Sequence, residues 1–231
     1  MIQALIFDCD GTLVDTESPD YDVLKEIYAE YGAELPLDLW IADLGTVGVF
    51  DRYGELERRA GRALERAKLL ADHEARYRQR VVAQPLLPGV RELLHDARAA
   101  GLRLAVASSA GRAWVEGWLA RHGIRELFDC VRTRDDVHRV KPDPELFLSA
   151  AACLGVPPAA CLVIEDSPNG VRAAAAAGMR CVAVPIPLLA DVELPPAALR
   201  LASLEGVALA ELLERVLQDD ERQRTTAEGR M

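Results

Sequence analysis

Short apolar runs recur along the chain, and most of them stop at a polar residue. Residues 2–7 (IQALIF) end at Asp8, 102–107 (LRLAVA) at Ser108 and 161–164 (CLVI) at Glu165; 181–184 (CVAV) is a fourth run and 128–132 a weaker fifth. Runs this short and this continuously apolar fit strands buried on both faces of a parallel sheet. Segments with helical spacing alternate with them at 89–100, 112–122, 144–154 and 171–177. The alternation predicts an α/β fold, a doubly wound, Rossmann-like parallel sheet.

Between Ser18 and Val82 the pattern changes. No β-branched run occurs there, and apolar residues recur at helical spacing among many charges. A separate helical unit is expected, inserted into the α/β core. Ser18-Pro19 reads as a helix start, Gly32 as its stop and Pro36 as the opening of a second helix, with Gly54 and Gly61 punctuating the rest. The expected division is 1–15 and 86–218 for the core, 16–85 for the insert, and 219–231 for a polar, unstructured tail. Two links, near residues 14–17 and 83–88, join the units and can act as a hinge. Leu146 to Ile164 carries no charge, but Gly155 and Pro157-Pro158 interrupt it, so it reads as helix, turn and buried strand rather than a membrane span.

Composition narrows the function. The 231 residues carry 27 basic and 37 acidic side chains, a net charge of −10, which disfavours nucleic acid and anionic membranes as partners. Hydrophobic residues make up 50% but aromatics only 5%, which suits helices packed closely on a sheet. The five cysteines (Cys9, Cys130, Cys153, Cys161, Cys181) are scattered and lack C-x-x-C spacing, so neither a disulfide framework nor a zinc site is expected. No secretory signal is read at the N-terminus, and a cytoplasmic location is expected.

The candidate chemistry sits where the apolar runs stop. Phe7-Asp8-Cys9-Asp10-Gly11-Thr12 places two acids where a buried strand opens into a loop, with Gly11 permitting close backbone approach. In open α/β sheets that edge is where ligands bind. The bland reading of the segment is an Asx-turn followed by a helix entry. Ser108-Ser109 follows the second run and could hold a phosphoryl oxygen or simply cap a helix. Lys141, in Val-Lys-Pro-Asp-Pro, is one of only three lysines, beside Lys25 and Lys68, in an arginine-rich chain. A compact point charge is one reason for it, a solvated loop lysine another. Glu165-Asp166 repeats the design of acids at a strand end, with Ser167 as a helix cap. Cys9 is expected to point back into the sheet as a small hydrophobe.

Strand-end acids, a strand-end hydroxyl, a proline-flanked lysine and a second acidic pair, in this order over nearly the whole chain, resemble the haloacid dehalogenase superfamily. The insert is similar to the cap of its β-phosphoglucomutase and phosphoglycolate phosphatase relatives. The resemblance implies that Asp8 is the nucleophile forming an aspartyl-phosphate and Asp10 the acid and base. It implies Mg²⁺ held by Asp8, the Asp10 carbonyl and Asp166, with Glu165 assisting through water, and a phosphoryl group gripped by Ser108, Ser109 and Lys141. Thr16 resembles a hinge residue. Asp10 argues for phosphoryl transfer, since dehalogenase members lack this second acid.

The mutases of this family carry a cap histidine four residues after the hinge threonine and a basic residue after a cap glycine. Here these places hold Asp20 and the stretch around Gly45. Hydrolysis of a small phosphorylated metabolite, a sugar phosphate or phosphoglycolate, is therefore expected over a mutase reaction, in a monomer or weak homodimer. A non-catalytic phosphate- and metal-binding module is the alternative of another class. Arg52, Lys68, His73 and Arg76 are the insert side chains considered for substrate contact.

Overall fold

The computed structural model describes residues 1–228, with side chains through Gln218. Six strands, β1 (Ala4–Phe7), β2 (Arg103–Ala107), β3 (Cys130–Arg132), β4 (Cys161–Glu165), β5 (Arg180–Ala183) and β6 (Leu199–Arg200), form one parallel sheet in the order β3-β2-β1-β4-β5-β6. The expected α/β doubly wound sheet is what the chain forms. The two-residue β6 is too short to be seen as a run in the sequence.

Alternate residues of each strand face opposite layers. Leu5, Phe7, Leu104, Val106, Leu162, Ile164 and Val182 face one layer, which includes residues of the helices α5 (Val90–Ala99), α6 (Arg112–Arg121) and α9 (Leu209–Glu228). Ala4, Ile6, Ala105, Ala107, Cys161 and Val163 face the other, under α7 (Glu145–Leu154) and α8 (Pro168–Ala176). That second layer is lined with alanines from both sides, including Ala150, Ala151, Ala173 and Ala174, so these helices sit close to the sheet. Here lies the structural use of an alanine-rich, aromatic-poor composition.

Register brings the strand ends together. Phe7 pairs with Val106 on one side and Ile164 on the other, so the residues that follow each strand emerge side by side at the carboxyl edge. The Asp8 amide donates to the Ile164 carbonyl and the Ser108 amide to that of Arg132 (each 3.0 Å).

Between β1 and β2 lie α1 (Glu17–Glu30), α2 (Leu37–Asp43), α3 (Arg52–Ala60) and α4 (Arg66–Val81). They bury their own cluster, with Val23, Leu24, Ile27, Tyr28, Trp40 and Leu56 at its centre; Ile186 and Leu189, from the loop after β5, join it. The two links run side by side: Val14 bridges Leu86, and the Leu87 amide donates to the Leu13 carbonyl at 2.9 Å. Helix α1 begins one residue before Ser18, and it is Asp15 that accepts from the Ser18 amide at 2.9 Å. Gly54 does not break the chain; it lies inside α3, where its amide donates to the Asp51 carboxylate at 3.0 Å.

Two further expectations are corrected. Cys130 and Cys153 form a disulfide between β3 and α7, because the crossover packs that helix on that strand and closes a separation of 23 residues; Cys9, Cys161 and Cys181 are buried thiols. The segment 219–231 was expected to be unstructured, yet the backbone of α9 runs through Glu228, since Glu, Gln, Arg and Ala are good helix formers even without an apolar face. Residues 229–231 of that segment lie outside the described residues. Among the described residues no helix is long and apolar enough to cross a membrane.

A polar knot ties the insert together. Asp20 accepts from Trp40 Nε1 and Arg52 Nη1 (both 3.1 Å), and His73 Nε2 lies 3.1 Å from the same carboxylate. Burial alone would push this carboxyl up, but His73, Arg52 and Trp40 outweigh it and hold it at about 2. The stability it supplies is present above the usual carboxylate value of 3.8 and is lost as pH falls from there through about 2. Asp20→Asn is expected to cost about 2 kcal/mol at neutral pH and lower Tm by about 4–8 °C. By calorimetry that difference should shrink as the pH is brought below 3.8.

Candidate active site

Asp8 leaves β1 into a tight loop in which the Gly11 amide donates to the Val14 carbonyl at 2.8 Å and the Leu13 amide to that of Cys9 at 2.9 Å. Gly11 has φ +75°, and a Cβ there would fall 2.1 Å from Asp166 Oδ2. Only glycine lets the first acidic loop approach the second so closely. Cys9 is buried in the layer beneath, as a small apolar side chain would be.

Lys141, in the loop between β3 and α7, reaches back under the sheet edge and is fully buried. Its ammonium donates to Asp8 Oδ1 and, at 2.7 Å, to Glu165 Oε1, and it lies 4.9 Å from the Phe147 ring centroid. Burial would push this ammonium down; the two carboxylates outweigh burial and hold it up, so it stays charged. A solvated loop lysine is thereby excluded.

The acids do not share one environment. Burial raises Asp8 to about 7 against the pull of Lys141, with Glu165 and Asp10 adding to the rise. Burial, with Glu165, Asp8 and Glu17 nearby, also holds Asp166 well above the carboxylate range. Glu165 is engaged on both oxygens: besides Lys141, it accepts from the amides of Asp166 and Ser167 (2.8 Å each) and from the Ser167 hydroxyl at 3.0 Å. A Cβ on Gly170 would sit 1.6 Å from Glu165 Oε1, so the start of α8 wraps directly around this carboxylate. Expected as a metal-side residue, Glu165 is used by the fold to fasten Lys141 and the turn after β4. Asp166 accepts from Thr12 Oγ1 at 3.3 Å on Oδ1, while its buried Oδ2 has no hydrogen-bond partner.

An orphaned carboxylate oxygen beside a second buried carboxylate, under a glycine cradle, fits a hard divalent cation with oxygen ligands. Among the described residues no three His, Cys, Asp or Glu side chains converge as a ready metal cluster. Asp8 and Asp166 would thus supply two ligands and leave the remainder to backbone carbonyl, water or substrate.

Asp10 stands apart from this buried group. Its Oδ1 accepts from Thr16 Oγ1 and Trp114 Nε1, both at 2.7 Å, and Oδ2 lies 3.4 Å from Ser108 Oγ, which also accepts from the Ala110 amide at 3.0 Å. Ser109 behaves differently from expectation: its hydroxyl donates to the Gly45 carbonyl at 2.7 Å, across to the insert. Asn169 makes the same crossing, donating to the carbonyls of Ala42 (3.0 Å) and Leu44 (2.8 Å).

A cavity of about 630 Å³ opens between these strand ends and the insert, with Asp8, Asp10, Glu17, Arg52, Trp114 and Arg134 among its lining residues. Of the four insert side chains considered, Arg52 alone lines it. His73 is buried beside Asp20, Arg76 pairs with Glu30 and Asp72, and Lys68 lies exposed. Trp114, Glu17 and Tyr77 were not singled out from the sequence. A tryptophan near the start of a helix after a serine loop, with Trp118 one turn on, reads as core packing, and its sequence distance from Ser108 was the available signal.

A family model for haloacid dehalogenase-like hydrolases matches residues 2–178. The chain is 42% identical to YhcW of Bacillus subtilis over 93% of this chain and 97% of that protein. It is 33% identical to hexitol phosphatase B of Escherichia coli over 84% of this chain and 91% of the other. The crystal structure of CbbY from Rhodobacter sphaeroides in complex with phosphate superposes with a TM-score of 0.71 at 32% identity, covering 92% of this chain and 99% of that one. With the strand-end carboxylates, the buried lysine and these likenesses in agreement, the chain belongs to the haloacid dehalogenase-like hydrolase family.

Proposed function

We propose that this chain is a Mg²⁺-dependent phosphatase that hydrolyses a small phosphomonoester, of the sugar phosphate or phosphoglycolate kind, through an aspartyl-phosphate on Asp8. The reading rests on one observation: Asp8 is tied to a buried ammonium, and its neighbour Asp166 holds a buried carboxylate oxygen that has no hydrogen-bond partner. A carboxylate so placed is fixed in direction and sits where positive charge can gather around a phosphoryl group. The likeness to hexitol phosphatase B supports a sugar phosphate as substrate.

In the first step an oxygen of Asp8 bonds to phosphorus, the bond from phosphorus to the leaving oxygen breaks, and Asp10 gives its proton to that oxygen. In the second, Asp10 takes a proton from water as the water oxygen bonds to phosphorus. The bond from phosphorus to Asp8 then breaks, and inorganic phosphate leaves with both acids restored. Lys141 and Ser108 hold phosphoryl oxygens, and Glu165 holds Lys141. Bound by Asp8, Asp166 and the Asp10 carbonyl, Mg²⁺ would offset the repulsion between the phosphoryl group and the carboxylates. Thr16, at the first link, serves as hinge residue for the insert, which acts as a cap over residues 16–85.

Hydrolysis is preferred to a mutase reaction because the place of the mutase histidine holds Asp20, which is spent on Arg52, Trp40 and His73. It is preferred to a non-catalytic module because Asp8, Asp10, Ser108, Lys141 and Asp166 all stand around one cavity edge or immediately beneath it.

Asp8→Asn is expected to lower phosphate release from a panel of sugar phosphates and phosphoglycolate by about 10³-fold or more, measured colorimetrically. Chelator-stripped protein should release none until Mg²⁺ is restored. Isomerised sugar phosphate without free phosphate would instead indicate a mutase. Mg²⁺ with aluminium fluoride should raise Tm, a phosphoryl mimic at a hundred times its Kd stabilising by about 2.7 kcal/mol. No shift together with no turnover would favour the binding module.

A further inference from the structure

We propose that Trp114 is a positioning residue for phosphoryl transfer: its indole N–H holds Asp10 Oδ1 as an acceptor, so that Oδ2 is the oxygen that hands the proton to the leaving group. The inference rests on the reading of Asp10 as the acid. Trp114 Nε1 and Thr16 Oγ1 converge on the same oxygen, each at 2.7 Å. A threonine hydroxyl can donate or accept, but an indole N–H only donates. The hydroxyl oxygen of a carboxylic acid is a much poorer acceptor than its carbonyl oxygen, so an indole N–H on Oδ1 favours the acid hydrogen on Oδ2. The tryptophan therefore fixes which carboxyl oxygen carries the proton, a choice that Thr16 alone leaves open. Oδ2 is the oxygen on the side of Ser108, where the phosphoryl group is read to bind.

The indole is itself held from two sides. Tyr77 of α4 stacks on it with ring centroids 6.0 Å apart and planes 26° from parallel, and Trp118, one turn further along α6, meets it edge-on at 5.6 Å. Placed in the first turn of α6, directly after the loop that carries Ser108, the ring is tied to the core and contacted by the insert. The ring is thus held in place with its N–H on Asp10 while forming part of the cavity wall.

Leaving-group dependence separates this role from packing. An alkoxide leaving from a hexose phosphate needs a proton, whereas p-nitrophenolate departs without one. With the full chain and Mg²⁺, Trp114→Phe, which keeps a stacking ring but has no N–H, should lower kcat/KM for a hexose 6-phosphate by about tenfold and for p-nitrophenyl phosphate by less than about twofold. The benzothienyl isostere of tryptophan, which replaces only the N–H by sulfur, should repeat the pattern with Tm unchanged. Equal losses on both substrates, or none on either, in the isostere would overturn the proposal. Asp10→Asn, read by single-turnover release of the leaving group so that the later water step it also serves does not enter, is the reference: it should show the same selectivity in a stronger form. If it strikes both substrates alike, the reading of Asp10 as the leaving-group acid fails, and the role of Trp114 falls with it. If Asp10→Asn is selective and the Trp114 isostere is not, the role of Trp114 alone fails.

Discussion

The site depends on one buried ammonium. The parallel pairing of β1 with β4 forces Asp8, Glu165 and Asp166 out of the sheet as neighbours, in surroundings that exclude water. Several desolvated carboxylates at such separations repel one another and resist ionisation. Lys141 enters from the far side of β2, bonds two of them, and rests against the Phe147 ring. An arginine, the cation this chain otherwise prefers, would bring a broad planar fork into a space that a compact ammonium fills. The third carboxylate, Asp166, has a buried oxygen with no hydrogen-bond partner, a donor that suits a divalent ion.

The sequence was legible where a residue's place follows from its own strand. The runs ending at Asp8, Ser108 and Glu165 mark strand ends, and in a parallel sheet all strand ends of one sense meet at one edge. The role of Glu165 was not legible, because two adjacent acids at a strand end are equivalent until the backbone amides of the next turn choose between them. Ser108 and Ser109 pose the same difficulty: both line the cavity, but the Ser108 hydroxyl turns to Asp10 while that of Ser109 reaches the insert. Cys130 and Cys153 meet through a crossover whose packing no local pattern encodes. Trp114 escaped notice because its partner, Asp10, lies 104 positions away.

The polar contacts between insert and core lie close to the chemistry. Ser109 follows directly on Ser108 and bonds the Gly45 carbonyl; Asn169 lies three positions beyond Asp166 and bonds those of Ala42 and Leu44. Thr16 and Tyr77 approach Asp10 and its tryptophan from the same unit. Apolar side chains cross between the two sides as well: Val81 and Tyr77 of α4 pack into the core cluster, and Ile186 and Leu189 into that of the insert.

The adjacency of Asn169 to Asp166 has a thermodynamic implication. Detaching the C-terminal end of α2 strips one amide group of both its acceptors at once, and water must enter to replace them at the first turn of α8. The amides that clasp Glu165, those of Asp166 and Ser167, lie immediately before that turn, and the Gly170 amide within it bonds the Ser167 hydroxyl. Water that reached the Asn169 amide would therefore arrive beside the turn that holds Glu165, the carboxylate that anchors the ammonium.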